Sequence, residues 1–118
     1  MTIKFWLLFS VISLNTFGQM MFKSTANLIK NDYEPLIIWK ILIASPPFWL
    51  AIFSYGLAVF FWIWLLRSTP LSIAYSAISI VFVSVPVMSF CFFHEPLPLK
   101  FLLGIFFIGI GVWLTYPN

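Results

Sequence analysis

Charged residues are scarce in this 118-residue chain. Six lysines or arginines and three aspartates or glutamates make up 8% of the sequence. Soluble domains carry about 25% charged residues, because charges cover the surface that faces water. The shortage therefore excludes a soluble globular enzyme. The hydrophobic content of 63% also excludes a disordered chain, which needs low hydrophobicity and high net charge.

Several kinds of chemistry lack the residues that they need. The single cysteine, Cys91, permits no disulfide framework or cysteine metal cluster within one chain, and we expect it to be a small buried hydrophobic side chain. The basic residues are scattered singly, so no positive run follows a nucleic-acid backbone. No nucleophile–base pair, glycine-rich phosphate loop or metal-ligand spacing is present. The sequence therefore predicts neither an enzyme nor a nucleic-acid-binding protein, and no cofactor or metal.

Long apolar runs are what the sequence does contain. A transmembrane helix needs about 20 mostly apolar residues. We therefore predict an all-α membrane protein with a single domain, residues 1–118, made of four transmembrane helices and short loops. The helices are predicted at residues 3–22, 46–66, 70–93 and 98–116. The first is not interpreted as a signal peptide, because its apolar stretch is long and no small-residue cleavage site follows it.

The connection at residues 23–45 holds most of the charge. Within it, residues 35–44 are mostly apolar but too few to span, so they form either a short interfacial helix or an early extension of the next helix. Pro46 and Pro70 are predicted near the starts of the second and third helices, where a proline fits the first turn. Pro86 is expected to bend the third helix.

Positive charge gives a small bias in orientation. With four antiparallel spans, two basic residues lie on one side of the membrane and four on the other: Lys4 and Arg67 against Lys23, Lys30, Lys40 and Lys100. The positive-inside rule then places the first and third loops in the cytoplasm. The margin is narrow, so a dual orientation stays open.

A polar stripe runs along the first predicted helix. Asn15, Gln19 and Lys23 are spaced by four residues and therefore stack on one helical face. Gly18 beside them permits the close approach of another backbone or of a ligand. Two interpretations stay open: the stripe lines a central cavity, or it supplies hydrogen bonds between helices while Lys23 reaches the headgroups.

The start of the third predicted helix favours anions. Free backbone N–H groups and a partial positive charge lie there, and Arg67 stands just before them. With the Tyr75 hydroxyl they form a candidate phosphate site, although an arginine that binds lipid headgroups or marks topology explains the same pattern. Ser72, Ser76 and Ser79 share roughly one face with Tyr75, and tight helix packing is the alternative explanation for these serines.

Glu95 opens the fourth predicted helix, where a carboxylate interacts favourably with the helix dipole. By topology it lies on the same side as Lys23, which permits an ion pair between them. The neighbouring His94 is interpreted as a solvated or headgroup-facing residue rather than a catalytic one. No acidic residue lies inside a predicted span, whereas proton-coupled carriers usually need one in the membrane.

Several short motifs occur in a characteristic order along the chain. They are Gly18-Gln19-x-x-x-Lys23, Pro70-Leu71-Ser72-x-Ala74-Tyr75, the Glu95-Pro96 turn and the stretch from Gly104 to Trp113. This combination resembles the four-helix members of the drug/metabolite transporter superfamily, which are EamA-like and similar to small multidrug resistance proteins. The closest resemblance is to the flippase subunits that move 4-amino-4-deoxy-L-arabinose linked to undecaprenyl phosphate. It covers nearly the whole chain.

One departure separates the chain from the multidrug branch of that superfamily. That branch carries a glutamate three residues before the glycine, where this sequence has Asn15, and an amide does not exchange protons at physiological pH. The resemblance therefore implies a flippase, or flippase subunit, for a polyprenyl-phosphate-linked sugar or similar anionic glycolipid in the bacterial inner membrane. It also implies an antiparallel or pseudo-symmetric dimer, with a second copy or a paralogue, joined through the glycines of the fourth helix.

The resemblance also implies roles for the polar residues. The expected substrate-binding residues are Asn15, Gln19, Lys23, Arg67, Ser72, Tyr75 and Glu95. The two amides would bond the headgroup in a cleft, the two cations would attract its phosphate at opposite membrane faces, and Tyr75 would position it. Glu95 would pair with Lys23 or with an amino group on the sugar. Two other functions stay open: a small multidrug-resistance-type exporter of cations or metabolites, and a non-transporting scaffold subunit of a glycosyltransferase system.

Overall fold

The computed structural model describes residues 2–31 and 34–115, and every regular element within these ranges is α-helical. The predicted all-α class is therefore confirmed for this part of the chain. The helices are α1 (Thr2–Leu28), α2 (Pro35–Ala44), α3 (Pro46–Leu66), α4 (Leu71–Ile78), α5 (Val81–Phe93) and α6 (Leu99–Thr115).

Three helical stretches are long and apolar enough to cross a membrane: Ile3–Leu28, Pro46–Leu66 and Leu71–Phe93. The chain is thus a multi-pass membrane protein. α6 is apolar but shorter, with 17 residues, so a fourth span at residues 98–116 stays a prediction. The predicted end of that span, residue 116, lies outside the described residues.

α1 continues to Leu28, beyond the end predicted at residue 22. The reason lies in two hydroxyl side chains of the extra turns. Ser24 donates to the carbonyl of Met20 at 3.1 Å, and Thr25 donates to that of Met21 at 2.9 Å. Because these bonds satisfy the polar side chains within the helix, α1 continues through its polar residues. The connection to α2 is correspondingly shorter than predicted.

α2 is a separate short helix rather than an extension of α3. The two are divided by one extended residue, Ser45, with φ −92° and ψ 127°. The Ser45 hydroxyl donates to the carbonyl of Leu42 at 3.1 Å, and the Trp49 indole N–H donates to that of Ile43 at 2.8 Å. Both bonds satisfy carbonyls that the end of α2 leaves without a helical partner.

The third predicted helix is broken into α4 and α5 at Ser79 and Ile80. Here the backbone N–H groups of Phe82 and Val83 bond three residues back, each at 2.9 Å, which is the tighter 3₁₀ pattern. This break lies before Pro86, inside whose helix, α5, a bend was expected. Pro86 has no N–H to offer the carbonyl four residues before it, which weakens the helix at the start of α5.

An antiparallel pair, α1 and α3, forms the centre of the molecule. Leu7 of α1 is buried with Leu65 of α3, so the start of α1 lies beside the end of α3. α3 turns three small buried residues, Ala51, Ser54 and Ala58, to the interior. Small side chains let two helix backbones approach closely where lipid supplies no hydrophobic driving force.

The α5 and α6 helices lie at the edge of the molecule and have no buried residue among those described. The expectation that Cys91 is buried is therefore wrong, because it lies on α5 and is exposed. Side-chain hydroxyls hold these helices to their neighbours. Thr16 of α1 bonds Ser84 of α5 at 2.8 Å, and Ser76 of α4 bonds Thr115 of α6.

Candidate functional site

A cavity of about 630 Å³ opens between α1, α3, α4 and α5, and polar side chains reach it from each of the first three helices. Asn15 and Gln19 line it from α1, and Tyr75 lines it from α4. Three of the residues expected to bind substrate therefore meet here. Ser79 also lines the cavity, so the break between α4 and α5 lies at its wall. Broken helices place backbone polar groups beside the binding site in many transporters.

Tyr55 is a cavity residue that the sequence reasoning missed. Its ring stacks on Phe22 with centroids 5.2 Å apart, and it lies against Gly18, where a Cβ atom would be only 2.5 Å from the ring. Gly18 thus permits the close approach of an aromatic side chain. The available signal was the phenol in the middle of an apolar helix, because the hydroxyl of a buried tyrosine usually needs a polar partner.

A second cavity of about 710 Å³ adjoins the first, and Gln19, Val81 and Phe82 line both. Its other walls come from α5 and α6 and are apolar apart from Lys100. We call the two adjoining cavities the groove. The groove carries several polar side chains within mostly apolar walls where α1 meets α3 and α4, and it is more apolar where α5 meets α6. An amphipathic ligand with a polar head and a hydrocarbon tail matches this division.

The ion pair that topology permits between Lys23 and Glu95 is present, with 3.4 Å between Lys23 Nζ and Glu95 Oε1. Ser89 donates to the other carboxylate oxygen at 2.5 Å. The Ser89 hydrogen bond is the main cause that holds the pKa of Glu95 below its usual range; desolvation opposes it, and the hydrogen bond and charge of Lys23 lower the pKa further. The carboxylate is therefore ionised at neutral pH.

The ion pair lies at one end of the groove. Lys23 is one helical turn beyond Gln19. A smaller hollow of about 280 Å³, lined by Ser89 and Glu95, shares Val85, Pro86 and Phe101 with the second cavity. The left-handed backbone of His94, with φ 55°, ends α5 and turns the chain toward Glu95.

Arg67 and Ser72 do not join this group. Arg67 is exposed at the end of α3 and borders a separate hollow of about 300 Å³ beside Phe60 and Trp64. Ser72 is exposed in the first turn of α4. Tyr75 directs its ring edge to Trp62, with centroids 6.1 Å apart. Because α1 and α3 are antiparallel, Arg67 lies at the opposite end of the bundle from Lys23.

The chain is similar over most of its length to proteins named as probable 4-amino-4-deoxy-L-arabinose-phosphoundecaprenol flippase subunits. It is 36% identical over 108 residues to the subunit ArnE of Aeromonas salmonicida, which covers 92% of each chain. It is 31% identical over 117 residues to ArnE of Photorhabdus laumondii, which covers 98% of each.

The chain is also similar to a protein named as subunit ArnF of the same flippase. The chain is 33% identical over 79 residues to the subunit ArnF of Proteus mirabilis, which covers 65% of this chain and 59% of the relative. No family model and no solved structure matches the chain.

Proposed function

Since the chain belongs to the family of 4-amino-4-deoxy-L-arabinose-phosphoundecaprenol flippase subunits, we propose that it carries a polyprenyl-phosphate-linked amino sugar across the bacterial inner membrane. It is a transporter subunit and not an enzyme. The observation that supports this substrate is the groove, in which a cavity that carries several polar side chains and a more apolar cavity share one wall. The headgroup crosses along the polar cavity while the polyprenyl tail stays in lipid beside the apolar one.

The polar side chains act on the headgroup in order along α1. Asn15 donates to the carbonyl of Val11 at 2.9 Å, which fixes its amide against the helix and leaves its oxygen to accept from a sugar hydroxyl. Gln19 is exposed and lines both cavities, so its amide can bond the headgroup as the headgroup passes from one cavity to the other. Lys23 attracts the phosphate at one membrane face and Arg67 at the other, while Ser72 and Tyr75 position the headgroup near Arg67.

Flipping is driven by the concentration gradient or by coupled biosynthesis. The residues that line the groove, among those described, include no aspartate or glutamate. Asn15 occupies the position at which the multidrug branch of the superfamily carries its glutamate. A headgroup crossing here therefore exchanges no proton with a carboxylate inside the membrane.

The functional unit is a dimer with a paralogous subunit, a proposal that rests on similarity to both ArnE and ArnF. α6 makes the contact and forms the fourth span. Its outer face, which points away from the groove, consists of Leu102, Phe106, Gly109 and Trp113, all exposed. A Cβ atom added at Gly109 would meet nothing within 4 Å, so this position has room for a partner helix.

Reconstitution into liposomes tests the proposal. Asn15→Leu and Gln19→Leu should abolish headgroup translocation while the protein stays folded, because each removes a polar group from the groove. Ser13→Leu is the matched control, since Ser13 lies on α1 but lines a different cavity. Lys23→Ala and Arg67→Ala should each slow translocation.

Three results would overturn the proposal. Unchanged translocation in both the Lys23→Ala and Arg67→Ala variants would remove the phosphate contacts from the mechanism. Stable co-purification with a glycosyltransferase, together with full tolerance of Asn15→Leu and Gln19→Leu, would identify a scaffold subunit. Substrate-dependent proton movement would identify an exporter of cations.

A further inference from the structure

The two oxygens of the Glu95 carboxylate have different partners. Oε2 accepts a short hydrogen bond from Ser89, 2.5 Å long, within the same hairpin of chain. Oε1 faces Lys23 Nζ at 3.4 Å, which is long for a charge-assisted hydrogen bond. One oxygen is thus held in place, and the other has a loose partner.

The loose partner is easily displaced. The side chains of Lys23 and Glu95 are 48% and 45% exposed, and ion pairs exposed to this degree contribute little to stability. When Lys23 leaves, the carboxylate keeps its orientation through Ser89. The turn that carries it is also restrained, because Pro96 and Pro98 follow and His94 ends α5 in the left-handed conformation.

Two lysines lie at this end of the groove. Lys23 contacts Glu95 from α1, and Lys100 lines the second cavity of the groove from the first turn of α6. The hollow that Glu95 lines shares three residues with that cavity. The end of the groove therefore presents one carboxylate and two ammonium groups, which complements a headgroup that carries both an amine and a phosphate.

We propose that the Lys23–Glu95 pair is exchanged for the substrate: the amine of the headgroup replaces Lys23 on Glu95, and the released Lys23 binds the phosphate. Glu95 is then the residue that selects amine-bearing headgroups, and Lys100 is a second cation for the phosphate. This inference rests on the proposed flippase function. It adds that the substrate is recognised at two points, its amine by Glu95 and its phosphate by Lys23. Both charged side chains therefore keep a partner when their own ion pair opens.

Two matched lipids test the exchange without changing the protein. The chain, co-expressed with its paralogous subunit and placed in nanodiscs, is titrated with 4-amino-4-deoxy-L-arabinose-phosphoundecaprenol and with its N-acetylated form, which keeps the phosphate but lacks the ammonium charge. The first lipid should bind about fivefold to tenfold more tightly, the range of a charge-assisted bond at a half-exposed site.

Substitutions then assign the preference to Glu95. Glu95→Gln should bind the two lipids equally, with no loss of affinity for the acetylated one, because Lys23 is already free. Lys23→Gln should weaken binding of both lipids by a similar factor and keep the preference. Lys40→Gln is the control for net charge, since it removes one cation from α2 without touching the groove, and it should change neither value.

The outcomes separate this inference from the function on which it rests. Equal binding of both lipids by the unmodified chain, or a preference that survives Glu95→Gln, overturns the exchange while the flippase proposal stands. If neither lipid binds, and undecaprenyl phosphate does not bind either, both the exchange and the flippase proposal are overturned.

Discussion

At the scale of single residues, the contact between Gly18 and Tyr55 places the most demanding restraint on the bundle. The Tyr55 ring occupies the space in which a Cβ of residue 18 would lie, and Phe22 holds the ring from one face. The ring therefore cannot move aside without losing its stacking. The same contact directs Tyr55 into the cavity that Asn15 lines.

Gly18→Ala should lower the free energy of unfolding by about 1–3 kcal/mol, the usual cost of overfilling a packed contact. Gly56→Ala is the matched control, because a Cβ there meets nothing within 4 Å. Both substitutions gain the same helix propensity, so their difference isolates the clash. Thermal or denaturant unfolding in detergent measures it. Equal stability of the two variants would show that Tyr55 has room to move.

The sequence predicted some single residues well and missed others for a physical reason. The stripe of Asn15, Gln19 and Lys23 follows from a spacing of four, which is local geometry of one helix. Tyr55 takes its place from contacts with Gly18 and Phe22, far away in the chain, and Ser89 from the turn that follows α5. Helical periodicity encodes neither. Glu95 was paired correctly with Lys23 because topology alone places both at one membrane face.

At the scale of whole helices, a pair of hydroxyls joins α1 to α5. Thr16 and Ser84 bond each other at 2.8 Å, and Thr16 is buried. A double-mutant cycle with Thr16→Val and Ser84→Ala should give a coupling energy of about 0.5–1.5 kcal/mol, the range for hydroxyl bonds between membrane helices. Unfolding in detergent gives the four stabilities that the cycle needs.

Thr25→Val serves as the control for that cycle. Its hydroxyl donates to the carbonyl of Met21 within α1, at 2.9 Å. Combined with Ser84→Ala it should be additive within error, because the two residues share no bond. A coupling that is equal for Thr16 and Thr25 would mean that the cycle reports helix propensity and not the interhelical bond.

Helices were predicted more reliably than their interruptions. Uninterrupted hydropathy indicates residues 70–93 as one helix, and the stretch is long and apolar enough to span. The break at Ser79 and Ile80 depends on a change of hydrogen-bond register that leaves hydropathy untouched. For α1 the hydropathy changes but the helix does not. Its last turns are polar and were predicted as a loop, yet they stay helical while Ser24 and Thr25 bond to carbonyls one turn back.

At the scale of the whole molecule, the outer face of α6 has no partner within the described part of the chain. Gly109→Leu should weaken association with the paralogous subunit about tenfold, the factor that a loss of 1.4 kcal/mol gives. Gly56→Leu on α3 is the control for a bulky side chain added to an open glycine. Native mass spectrometry of the co-expressed pair measures the complex. Equal loss in both variants would place the interface elsewhere.

The all-α membrane class followed from composition together with the long apolar runs. So little charge leaves lipid as the only surroundings for most of the surface, and the runs are close to the length that a spanning helix needs. The shape of the groove did not follow from it. The groove arises where Asn15 and Gln19 of α1 meet α3, α4 and α5 beside the apolar wall of α6, and five separate helices must be placed before it exists.

The break between α4 and α5 divides the span unequally. α4 has eight residues and α5 has thirteen, which gives lengths of about 12 Å and 20 Å at 1.5 Å per residue. Half of a bilayer's hydrocarbon core is about 15 Å thick, so a helix as short as α4 that begins at the membrane surface ends within the same leaflet. In an antiparallel pair of such subunits the two breaks would then lie in opposite leaflets, one on each side of the midplane. A headgroup would pass one interruption of the helical hydrogen bonds in each leaflet.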